Sequence, residues 1–92
     1  MILIIEDDYD YANMYRLVME AGIPGISSLV ANDGAEGIKL AHQHKPDIIL
    51  SDLMMPDPNG FEVCKSVREH AETKHIPILI VTGNDDRATR LE

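Results

Sequence analysis

Three short apolar runs in this 92-residue chain each lead into oxygen-bearing side chains. Met1 to Ile5 runs into Glu6, Asp7 and Asp8; Ile48 to Leu50 leads through Ser51 to Asp52; Ile78 to Val81 ends at Thr82. If the first and third of the chain's strands are neighbours, their carboxylates converge. Two unit charges ~4 Å apart repel by about 4 kcal/mol at an effective dielectric near 20, so such acids cannot all stay ionised and unpaired. A cation is the natural remedy. Oxygen-only ligands with incomplete protein coordination favour Mg²⁺, which keeps waters and accepts phosphate oxygens. Asp7 and Asp52 are the core of this candidate site, while Asp8, just before a helical pattern, reads as an N-cap.

The elements that must position these groups follow from periodicity. Ile48, Ile49 and Leu50 are consecutive and branched, with no polar alternation, which predicts a strand covered on both faces. Asp52 then falls at its carboxyl end, the edge where open α/β sheets place their chemistry, and Pro56 forbids continuation of the ladder. Met1 to Ile5 predicts a second buried strand. Tyr11, Met14, Tyr15 and Val18 fall on one helical face, closed by Gly22 and Pro24. Ile26 to Ala31, broken by Ser27 and Ser28, suits an edge strand. Asn32-Asp33-Gly34 turns the chain, with Asp33 and Glu36 as a capping pair for a short helix through Ala35, Ile38 and Ala41, which Lys45-Pro46 closes. Asp57-Pro58-Asn59-Gly60 is turn chemistry, after which Val63, Cys64 and Val67 mark a helix face. Ile78 to Val81 predicts a last strand, and Gly83 to Asp86 the start of another helix. The order βαβαβαβ implies an α/β fold with a parallel sheet and right-handed crossovers.

Composition narrows the function. A chain of this length forms one domain, and with 45% apolar but only 4% aromatic residues its core is aliphatic. Sixteen acidic against eight basic side chains, a net charge of −8, argue against nucleic acid or anionic lipid as direct partners and favour cations and proteins. A single cysteine, Cys64, closes no intrachain disulfide and reads as a small core residue. No apolar run reaches spanning length, and a cytoplasmic setting is the default expectation. The four histidines, His42, His44, His70 and His75, lack i, i+4 pairing and read as surface groups rather than ligands.

Ile4-Ile5-Glu6-Asp7, Asp52 followed by Pro56 and Gly60, and Ile80-Val81-Thr82 together resemble the receiver domain of two-component response regulators, in register along the whole chain. The resemblance implies a flavodoxin-like doubly wound sheet in strand order 2-1-3-4, continued in the family by a fifth strand. It also implies a phosphoacceptor in signal transduction rather than a turnover enzyme. By this likeness Asp52 takes a phosphoryl group from a histidine kinase or phosphotransfer protein. Asp7, Asp52, the Met54 backbone carbonyl and, largely through water, Glu6 hold Mg²⁺, and the Thr82 hydroxyl contacts the phosphoryl group. Met54 and Asn84 occupy positions that tune dephosphorylation in such proteins.

One departure stands out. The family's lysine and switch aromatic lie on the fifth strand, which with the last helix falls beyond residue 92, so residues 1–92 read as a C-terminally incomplete receiver domain. Lys39, Lys45, Lys65 and Lys74 offer no substitute. A disordered tail, a deliberate fragment, or a truncation completed by a homodimer, domain swap or strand addition at Ile78 to Val81 would each account for this. Rival functions are a receiver-like interaction module that accepts no phosphate, and a haloacid-dehalogenase-like phosphohydrolase. The latter needs an aspartate two residues after the nucleophile, where Met54 stands. A calcium loop at Asp57 to Gly60 fails because its glycine comes too early.

Overall fold

A computed structural model of the protein describes residues 1–81. Its elements are β1 (Ile2–Ile5), α1 (Tyr9–Gly22), β2 (Ser28–Ala31), α2 (Gly34–His44), β3 (Ile48–Asp52), α3 (Gly60–Glu69) and β4 (Ile78–Val81). All pairings are parallel and the strand order is β2-β1-β3-β4, so β1 and β3 are central and β2 lies at an edge. The expected sheet order is therefore observed. Thr82, Asn84 and the helix expected from Gly83 lie outside the described residues.

Both faces of the sheet are covered, which is why β1 and β3 lack polar alternation. Leu3, Ile5 and Ile49 point to one side, where they pack with Ala41 of α2 and with Val63 and Val67 of α3. Ile2, Ile4 and Leu50 point to the other, against Tyr15 and Met19 of α1. The α2 helix sits directly on β1 at Gly37, where an added Cβ would stand 2.8 Å from Ile5 Cγ1. Only a residue without a side chain admits that approach.

Local signals act as read at most helix ends. Asp8 caps α1, accepting from the Asp10 and Tyr11 amides at 2.9 and 3.1 Å. Asp33 caps α2 through the Glu36 amide at 2.8 Å, while Glu36 reaches back to the Asn32 amide. Lys45 ends α2 in the left-handed region, with φ of 47°.

Three packing expectations are corrected. In α1 the fully buried residue is Ala12, with Tyr15 and Met19 packed near it, while Met14 and Val18 are exposed. The small Ala12 is the residue that lets the helix axis approach the sheet, so the helix is turned away from the Tyr11-Met14-Val18 stripe. In α2 Ala35 is exposed, and Gly34, Gly37 and Ala41 are buried. Cys64 is half-buried rather than central, because Val63 and Val67 take the inward positions of α3.

Candidate metal centre

The register of β1 against β3 sets Ile5 opposite Ser51. One residue further along, Glu6 and Asp52 stand level, and Asp7 follows as the chain leaves the sheet. One oxygen from each of Glu6, Asp7 and Asp52 lies within 4.8 Å of the other two. Glu6 and Asp52 are 1% and 3% exposed, whereas Asp7 faces solvent. An open cavity of about 240 Å³ is lined by these three acids with Asp8, Tyr11 and Met54.

The acids are held differently. Asp52 Oδ1 accepts from the Met54 amide at 3.2 Å, and Glu6 Oε2 accepts from the Asp8 amide at 3.0 Å. Glu6 Oε1 is buried and meets no hydrogen-bond partner among the described residues. Burial pushes the Glu6 carboxyl up to about 8; the Asp8 amide pulls it down, while the side chains of Asp7 and Asp52 push it further up. The same field reaches α1: the Tyr15 hydroxyl is pushed up to about 12, first by burial and then by the charges of Glu6 and Asp52.

This donor set fits a hard divalent cation. All its ligands are oxygens, the acids are close enough to share one ion, and a buried acceptor is left without a donor, a condition that costs about 1–3 kcal/mol. A cation in the cavity would meet the orphaned oxygen and the mutual repulsion together.

The segment after Asp52 is fixed by backbone packing. The Leu53 carbonyl accepts from Met55 and Gly60 amides at 3.1 and 3.3 Å. A Cβ on Gly60 would stand 2.7 Å from the Asp52 carbonyl oxygen and 2.8 Å from Leu53 Cα, so α3 can start here only at glycine. Asn59 and Glu62 form a capping box just before it, their side chains exchanging bonds with each other's amides at 3.0 and 2.7 Å.

Of the site residues expected from sequence, Glu6, Asp7 and Asp52 come together and Met54 lines the cavity beside them. Thr82 lies outside the described residues. Tyr11, read as part of a packing face, turns out to line the cavity; its place in the first turn after the β1 acids is the signal that marks it.

The family model described as the response regulator receiver domain matches residues 2–92. The chain belongs to that family. This receiver domain is 38% identical over 90 residues to Protein PilH of Pseudomonas aeruginosa, covering 98% of the chain and 73% of PilH. It is 35% identical over 82 residues to the polar-differentiation response regulator DivK of Brucella anthropi, covering 89% of the chain and 65% of DivK. Among solved structures, the Vibrio cholerae chemotaxis protein CheY4 matches it with a TM-score of 0.80 at 30% identity, over 92% of this chain and 69% of that one. The receiver domain thus has the CheY-like, flavodoxin-like sheet in order 2-1-3-4 across its described strands.

Proposed function

We propose that this receiver domain accepts a phosphoryl group on Asp52 from a phosphohistidine of a kinase or phosphotransfer protein, with Mg²⁺ held by Glu6, Asp7, Asp52 and the Met54 carbonyl. The observation that carries the reading is the gathering of one oxygen each from Glu6, Asp7 and Asp52 within 4.8 Å of one another, with a Glu6 oxygen buried and without a hydrogen-bond partner among the described residues. The bound ion supplies charge neutralisation for the carboxylates and the incoming phosphoryl oxygens.

The chain's own residues do the rest. A carboxylate oxygen of Asp52 forms the new bond to phosphorus as the phosphorus–nitrogen bond of the donor breaks, and the electron pair leaves with the donor imidazole. The Met54 amide fixes the Asp52 carboxylate, and the tight Gly60 contact fixes the backbone behind it, so orientation is set before the donor arrives. Glu6, buried below with its carboxyl pushed up to about 8, would give up its proton as the cation binds and then help to hold it. Thr82, by the family pattern, contacts the transferred group. Among the described residues no helix is long and apolar enough to cross a membrane, and we place this exchange between proteins in the cytoplasm.

Incubation with acetyl phosphate and Mg²⁺, followed by intact-mass measurement, tests the reading. We expect one phosphoryl group gained, none in Asp52→Asn and none in excess EDTA. No gain in the wild-type chain, or an equal gain in Asp52→Asn, overturns it; the first result favours a receiver-like interaction module.

A further inference from the structure

The structure brings together two histidines that sequence spacing keeps apart. His42 sits in the last turn of α2 and His70 is the C-cap residue of α3. Their ring centroids are 4.4 Å apart, with the planes at 75°. The Nδ1 of His70 lies 2.9 Å from the Ser66 carbonyl oxygen. A carbonyl oxygen only accepts, so Nδ1 carries the hydrogen and the neutral ring presents a bare lone pair at Nε2. This is the arrangement that orients imidazole ligands in metal sites, where the second nitrogen donates to a backbone carbonyl and fixes the tautomer.

We propose that His42 and His70 form a two-imidazole site for a borderline divalent cation, Zn²⁺ in the first instance, bridging the carboxyl ends of α2 and α3. Imidazole nitrogen selects Zn²⁺ and its neighbours in the transition series, whereas the oxygen ligands of the acidic cavity select harder ions. With Zn–N near 2.0–2.1 Å and a tetrahedral angle, two ligating rings stand with centroids roughly 5 Å apart, so the pair must open slightly from its 4.4 Å contact to take the ion. Both histidines occupy helix C-termini, where the backbone dipoles present partial negative charge to a cation; at α2 the Lys45 ammonium shares that end, bonding the His42 carbonyl at 3.2 Å, while the net charge of −8 favours cations overall. These helix ends lie at the amino edge of the parallel sheet, opposite the Glu6-Asp7-Asp52 cavity, so the site is separate from the proposed phosphoacceptor. With two protein ligands the remaining positions belong to water, and exchange is rapid.

Calorimetric titration of ZnCl₂ into the tag-free 92-residue chain, with Mg²⁺ in large excess to occupy the acidic cavity, tests the proposal. We expect one Zn²⁺ bound per chain, affinity weakened at least about tenfold in His42→Gln and in His70→Gln, and wild-type affinity in the double variant His44→Gln/His75→Gln. The imidazole proton resonances of His42 and His70 should shift with Zn²⁺ while those of His44 and His75 stay in place. Circular dichroism of each variant confirms that it is folded. Equal Zn²⁺ affinity in wild type, His42→Gln and His70→Gln overturns the proposal, as does an equal loss in the His44/His75 variant.

Discussion

Replacing Glu6 by glutamine should stabilise the metal-free protein at alkaline pH and remove part of its pH dependence. In the folded chain the Glu6 carboxyl is raised from 4.5 to about 8, so between those values the folded state binds more protons than the unfolded chain. Stability from this group is then fully present below about pH 4.5 and is lost as pH rises through about 8. At ~1.4 kcal/mol per pH unit, the full rise bounds the effect at roughly 5 kcal/mol. Between pH 5 and 8 the linkage integral over that rise gives roughly 3–4 kcal/mol. Urea unfolding of wild type and Glu6→Gln, followed by circular dichroism in EDTA across that range, measures it. The difference between the two proteins should move by roughly 3–4 kcal/mol in favour of the glutamine variant from pH 5 to pH 8. Titrating groups elsewhere are common to both proteins and cancel. In saturating Mg²⁺ the ordering should reverse at pH 8, since the ion rewards the ionised acid. Parallel stability curves in EDTA would refute the assignment of Glu6 as the strained acid, and equal Mg²⁺ stabilisation of both proteins would refute its place in the ion's shell.

Three further outcomes test the packing that supports the site. Gly37→Ala should destabilise by about 1–3 kcal/mol, because the new methyl meets the wholly buried Ile5; an unchanged urea midpoint would show that α2 moves off β1 freely. Gly60→Ala should cost a similar ~1–3 kcal/mol and also slow labelling by acetyl phosphate, since it presses on the Asp52 and Leu53 backbone. Wild-type labelling in that variant would separate loop position from reactivity. Asn59→Ala removes half of the capping box and should cost about 1 kcal/mol with labelling retained, read from the same urea and mass measurements.

Much of this architecture is legible in the sequence because strands covered on both faces announce themselves. Ile2 to Ile5 and Ile48 to Leu50 have no polar face to offer water, and the acids that follow them mark where the runs end. Once β1 and β3 are placed side by side, Glu6, Asp7 and Asp52 must meet, so the site was legible to the extent that the topology was. The α1 face was not, because Met14, Leu17 and Val18 carry as much apolar character as Tyr15 and Met19; the contact distance that favours Ala12 is a property of the sheet beneath it. The capping box of Asn59 and Glu62 was hidden inside a run that reads as turn throughout. His42 and His70 are invisible as a pair for a different reason: their contact depends on how two helix ends meet, and periodicity along one element carries no information about another.

The four acids at the carboxyl edge divide their roles by where their oxygens can find donors. Asp8 faces the free amides of the α1 first turn and is satisfied there, which removes it from the cluster. Glu6 has one oxygen on the Asp8 amide and one, buried at the wall of the acidic cavity, with no partner among the described residues. A fold selected for stability alone would place an apolar side chain or an amide there, since native proteins rest on margins of only about 5–15 kcal/mol. Keeping a carboxyl at that position makes sense if the cost of burying it is returned when it ligates a cation. The same acid that weakens the apo fold therefore sets how strongly the ion is held, and a variant that improved one property without harming the other would show that Glu6 serves neither.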